Sequence, residues 1–214
     1  MKEYTYNESL LFLNDSKWEK LDCENRTAVL QAIENEMAKM DGRDSCTVRA
    51  EQIAPHAKNV EIIGTFTGSE PQSITVNKDL LESAGENAPN FIEFVEAVIH
   101  GGRHAYQLLA AEGRVQHSSL HEVVEWGLEF SSKTIDDRQN PKAFYHQSSE
   151  TDARAYTANM LSKVIRDIFQ DKSVTDIEAA SFKDRISQFA EKARVINLSK
   201  TPLKKGDPDK GDER

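Results

Sequence analysis

The sequence predicts an α+β fold, in which a few short strands form a small antiparallel sheet packed beside a bundle of about four helices. Two observations carry that prediction. Apolar residues recur at helical spacing through several long segments, and between the first and second of these the pattern changes to short β-branched runs separated by turn formers. The 214 residues suit one domain, and at 38% hydrophobic and 29% charged they can bury a single core beneath a polar surface.

The elements follow in order. Residues 1–20 hold a short irregular element around Leu10–Leu13. Residues 22–40 form an amphipathic helix, with Ala28, Leu30, Ile33, Met37 and Met40 at helical spacing, and Asp41-Gly42 stops it. Residues 46–50, 60–66 and 72–77 are rich in β-branched side chains and read as strands, antiparallel because their connections are short. Asn77 to Ala88 is a polar connection with one helical turn. A long helix is expected over 90–112, marked by Phe91, Phe94, Val95, Val98, Ile99, Leu108 and Leu109. A second is expected over 119–132, its apolar side set by Leu120, Val123, Val124, Leu128 and Phe130. After a loop closed by Asn140-Pro141, a third spans 148–170, with Ser148 or Ser149 as its cap, and a fourth spans 177–195. Residues 1–200 are read as one domain. The Pro-, Gly- and Lys-rich residues 201–214 are read as a disordered tail.

Composition excludes several function classes. A formal net charge of −9 repels phosphate backbones and argues against a nucleic-acid partner. No apolar run reaches the roughly 18–20 residues of a membrane span, and the N-terminus lacks the pattern of a cleaved signal. The expected location is therefore the cytoplasm, or outside it as an effector exported without a cleaved peptide. Cys23 and Cys46 form no C-x-x-C pair; two reduced thiols and a single disulfide both fit. No Gly-x-Ser-x-Gly elbow or phosphate-binding glycine loop is present.

The chemistry-bearing segment runs from Glu96 to Gln107. His100 and His104 are four apart on a helix, so their imidazoles share one face about a turn apart and can fill adjacent corners of a zinc site. His117 and His121 repeat that spacing and are read as solvent-exposed helix-end residues. A third ligand must come from elsewhere. Glu150, near the start of the third long helix, offers a carboxylate, and Asp152 can accept the outward ring N–H of a ligating histidine.

His100, Arg103, His104, Ala105, Tyr106 and Gln107, then Trp126, then Gln147, Glu150, Asp152 and Ala153 stand in one order along the chain. Together they resemble the zincin-like metallopeptidase domains of bacterial and phage polymorphic toxins and secreted effectors. That family carries an H-E-x-R-H-A-Y-Q helix, a Trp-containing helix and a Q-P-x-E-x-D-A motif. The helix from Arg26 to Glu36, Gly42-Arg43 and the strand ending in Val76-Asn77 resemble its N-terminal region, so the likeness covers roughly residues 18–170.

The resemblance implies a gluzincin-type fold and one Zn2+ ion held by His100, His104 and Glu150. It also implies hydrolysis of a protein or peptide, and an immunity protein or host target as partner. Tyr106 is a candidate hydrogen-bond donor to a transition-state oxyanion. One departure bears directly on activity. The family's glutamate after the first histidine, its general base, is Gly101 here, with Gly102 following. Such a base contributes on the order of 100- to 10,000-fold, so hydrolysis is expected to be weak or absent. Three explanations stand: a pseudoenzyme that keeps a metal or binding cleft, an inactivated form of an active toxin, or replacement by another acid such as Glu96. The alternative function is a non-catalytic module that engages a protein partner.

Overall fold

The computed structural model describes residues 2–54, 62–83, 89–131, 143 and 146–170. Among them are seven helices and one three-stranded sheet: α1 (Tyr6–Leu10), α2 (Asp15–Trp18), α3 (Cys23–Asp41), β1 (Thr47–Glu51), β2 (Gly64–Thr67), β3 (Ser73–Asn77), α4 (Lys78–Glu82), α5 (Phe91–Ala111), α6 (Leu120–Ser131) and α7 (Ser148–Gln170). The helix expected over 177–195, the tail at 201–214 and the loop expected over 136–142 lie outside the described residues.

Local signals set the helix ends. Asp22 caps α3 by accepting from the Asn25 amide at 2.8 Å, and Gly42 closes it in the left-handed region at φ 67°. Asn90 accepts from the Ile92 amide and Glu93 reaches back to the Asn90 amide, each at 2.9 Å, so α5 starts on a reciprocal cap. α7 starts differently. Its Ser148 and Ser149 amides donate to the Glu129 carboxylate of α6 at 2.7 and 2.9 Å. The expected serine cap is thus replaced by a carboxylate from a neighbouring helix, which also complements the helix dipole.

The sheet is mixed, not antiparallel. Its order is β1-β3-β2; β2 pairs antiparallel with β3, while β1 pairs parallel with β3. A short connection does produce the antiparallel β2–β3 pair. The link from β1 to β2 over residues 52–63 is long enough to carry the chain past a hairpin, and β1 lies parallel instead. β3 is central and buried on both faces, with Ile74 and Val76 fully buried.

α5 is the hub. It packs against α3, both β2 and β3, α6 and α7. Its first half places Phe91, Phe94, Val95, Val98 and Ile99 in the main core with Leu30, Ile33, Ile74, Leu161 and Ile165. Its second half meets α6 in a smaller cluster of Tyr106, Ala110 and Trp126. On α6 the buried face is Trp126 with half-buried Val123 and Phe130, while Leu120, Val124 and Leu128 are exposed. Two apolar stripes of helical spacing lie in that sequence, and only the Trp126 stripe faces α5. Cys23 and Cys46 are both free thiols.

Candidate metal centre

α5 and α7 bring the three predicted ligands together. The His100 and His104 Nε2 atoms are 3.1 Å apart. Glu150 Oε1 lies 3.1 Å from His104 Nε2, and Glu150 Oε2 lies 3.4 Å from His100 Nε2. Among the described residues these form the one group of three side chains able to hold a metal ion. Ligand atoms set about 2.0–2.1 Å from a tetrahedral cation stand roughly 3.3–3.4 Å from each other, so the observed spacings fit a common ion.

Gln107 decides the protonation pattern. It is fully buried on α5, and its Nε2 donates to Ser149 O at 2.8 Å and to Asp152 Oδ2 at 2.7 Å. Both partners only accept, so the amide orientation is fixed and its Oε1 must face His104 Nδ1, 2.8 Å away. The proton on His104 Nδ1 is therefore held by Gln107, and Nε2 is the ring atom that faces Glu150 Oε1 and His100 Nε2. A proton on Nε2 of either histidine can bridge to the carboxylate, and a metal ion at the centre could take all three groups as ligands.

Electrostatics agree. Burial lowers the His100 pKa and favours the neutral imidazole that binds metal. Burial disfavours the Glu150 carboxylate, but hydrogen bonds and charge from His100 and His104 outweigh it and hold the acid well below the usual carboxylate range. The His104 ring sits between Phe66 of β2 and Phe130 of α6, with centroids 6.2 and 6.3 Å away. A cavity of about 260 Å³ opens beside the histidines, between β2 (Gly64, Thr65, Phe66) and one face of α5 (Glu93, Glu96, Ala97, His100, Gly101, His104).

No protein-family model, curated protein or solved structure matches the chain.

The remaining predicted residues fall into place around this geometry. Asp152 does not take the outward N–H of a histidine. Gln107 does, and Asp152 holds Gln107 while forming a two-point ion pair with Arg103 at 2.7 and 3.1 Å. Its support for the ligands is thus one bond removed. Tyr106 is not at the cleft. Two residues past His104 is about 200° around a helix, so its hydroxyl instead donates to Gln116 O at 3.0 Å beside His117 Nδ1. Its ring meets Trp126 edge to face and lies under the Arg103 guanidinium. His121 is exposed as expected, but His117 is partly buried against Trp126 with Nε2 2.7 Å from Glu122. His146 is exposed and stands outside the metal-binding group.

The glycine pair divides in two. A Cβ on Gly102 would stand 2.6 Å from both Arg43 Nη2 and Glu34 Oε2, members of a fully buried ion pair. Gly102 is therefore required by packing. A Cβ on Gly101 would meet Ile74 Cγ1 of β3 at 3.1 Å, so the central strand fills the room behind this helix position.

Gln107 and Arg154 were not singled out as site residues by the sequence reasoning. The signal for Gln107 was its helical offset of three from His104, which puts the two side chains side by side. Arg154 stands one turn after Glu150 on the same face, with Nη1 3.4 Å from Glu150 Oε2.

Proposed function

We propose that this chain is a zincin-like domain that binds one zinc ion through His100, His104 and Glu150, with peptide hydrolysis impaired by glycine at position 101. The observation that carries the reading is the convergence of two imidazole nitrogens and a carboxylate within 4.8 Å of one another, with the His104 tautomer preset by Gln107. Two neutral histidines and one glutamate are the donor set of catalytic zinc sites that keep a fourth position open. Zinc bound there would supply Lewis acidity toward a substrate carbonyl and make water more acidic.

The protein's own part is binding and orientation. Gln107 fixes one ligand, Phe66 and Phe130 exclude water from its flanks, and the cleft along β2 receives an extended segment. Nothing at position 101 can accept a proton. The bound segment is then a protein or peptide, with an immunity protein or host protein as partner class, and binding outlasts turnover. A side chain at 101 would stand 3.1 Å from Ile74 Cγ1 and needs that neighbour to give by a few tenths of an ångström.

Metal analysis of the purified chain tests the reading. One zinc per chain is expected, lost in His104→Ala. Zinc absent from both forms overturns it. Restoring Gly101→Glu then separates the explanations. Peptidase activity or growth arrest on expression points to a disarmed enzyme, and zinc binding without either points to a pseudoenzyme.

A further inference from the structure

The Glu150 carboxylate is held unequally. Its Oε1 faces His104 Nε2 at 3.1 Å, while Oε2 lies 3.4 Å from Arg154 Nη1 and 3.4 Å from His100 Nε2. Arg154 is one helical turn beyond Glu150 on α7, so a rigid backbone sets its distance. Its Nη2 also lies 3.5 Å from Thr151 Oγ1, and its side chain is only 17% exposed. Its charge reaches His100, where it adds to the pressure toward the neutral ring.

We propose that Arg154 is a positioning residue that holds Glu150 Oε2, so that the carboxylate offers a bound metal a single oxygen. This rests on the metal-binding reading above. A carboxylate can bind a cation through one oxygen or both, and the choice sets whether the site is four-coordinate with an open position or more crowded. An arginine on one oxygen takes up its lone pair through a charge-assisted hydrogen bond and biases the carboxylate toward the one-oxygen mode. Gln107 and Arg154 then act on different ligands: one presets a histidine, the other the carboxylate. Other charges near the site do not duplicate this. Arg103 is paired with Asp152, and Glu93 is tied to the start of α5.

Cobalt(II) in place of zinc reads the coordination directly, because four-coordinate cobalt absorbs strongly in the visible and five- or six-coordinate cobalt weakly. The wild-type chain should show the intense spectrum. Arg154→Met should keep one cobalt per chain but lose most of that intensity, and Arg154→Lys, which keeps a cationic donor, should retain it. A wild-type spectrum in Arg154→Met at full loading would overturn the assignment. So would loss of intensity in Lys and Met variants alike. If Arg154→Met does not fold, the zinc-minus-apo infrared difference spectrum of the wild-type chain decides. A wide splitting of the carboxylate stretches supports one-oxygen binding, and a narrow splitting refutes it. Failure of the wild-type chain to bind cobalt or zinc at all would instead sink the metal site itself.

Discussion

Replacing Gln107 with leucine tests the protonation argument at its source. The two side chains are of similar size, so the change removes hydrogen bonds with little change in volume. Three contacts go: the acceptor for His104 Nδ1 at 2.8 Å, and the donors to Ser149 O at 2.8 Å and Asp152 Oδ2 at 2.7 Å. Losing an outer partner of a metal-ligating histidine lowers affinity by roughly 10- to 100-fold, which is about 1.4–2.7 kcal/mol. The metal-free protein should lose about 1.5–4.5 kcal/mol, three bonds at about 0.5–1.5 kcal/mol each, toward the lower end because Asp152 Oδ2 keeps Arg103 at 2.7 Å. Zinc affinity measured by competition with a chromogenic chelator, beside urea unfolding of the metal-free chain, separates the two losses. Gln107→Glu supplies the contrast. It keeps an acceptor for His104 but gives up both donors, so it should lose stability while holding affinity nearer to wild type. Unchanged zinc affinity in a folded Gln107→Leu protein would refute the claim that this amide sets the tautomer.

Gly102→Ala should destabilise the chain by about 2–4 kcal/mol, since breaking a buried ion pair costs about 3–5 kcal/mol and the helix regains about 1 kcal/mol. Gly101→Ala, which meets only Ile74, should lie within about 1 kcal/mol of wild type, because that regain offsets the crowding. Equal losses in urea unfolding would contradict the division of roles. The metal-free chain should also lose stability in acid. The folded-state pKa values of His100 and Glu150 are both lowered, so the unfolded chain binds protons first. Their contribution is present above the unfolded histidine value of about 6.5, fades as pH falls below it, and falls again below the carboxylate value of about 4.3. The urea midpoint should drop from about pH 8 to about pH 5, and less steeply in His100→Asn; a flat midpoint in the wild-type chain would count against it.

The helices were legible where one stripe of apolar residues had one interpretation. The segments 22–40, 90–112 and 148–170 became α3, α5 and α7 within a residue or two. The histidine pair was legible for a related reason, since a four-residue offset on a helix fixes which side chains share a face, whereas Glu150 was expected from the resemblance and not from spacing. What spacing cannot fix is pairing between distant segments. The position of β1 beside β3 depends on where residues 52–63 carry the chain, and the cap of α7 depends on Glu129 arriving from another helix. On α6 the apolar side expected at Leu120, Val123, Val124, Leu128 and Phe130 holds only in part: Val123 and Phe130 pack with Trp126 against α5, and Leu120, Val124 and Leu128 are exposed. Asp152 was placed near the ligands correctly, but its actual partner is Gln107, because a buried amide can bridge an acid and a histidine that do not touch.

The two glycines carry different constraints. Gly102 answers to Arg43 and Glu34, a buried pair that would leave an uncompensated charge if either member were displaced. Gly101 answers to Ile74, an apolar neighbour that can shift by a few tenths of an ångström. A glutamate at 101 would therefore begin from a Cβ pressed against the central strand, and its carboxylate would reach the cleft only if the strand or the helix yielded. Overpacking of this kind costs about 1–3 kcal/mol, comparable to the gain from removing a helix-interior glycine. The penalty is small enough that position 101 is not barred to a carboxylate. Urea unfolding and zinc loading of Gly101→Glu beside Gly101→Ala measure that balance: a folded, zinc-loaded Glu variant would show that Ile74 yields, and an unfolded one that it does not.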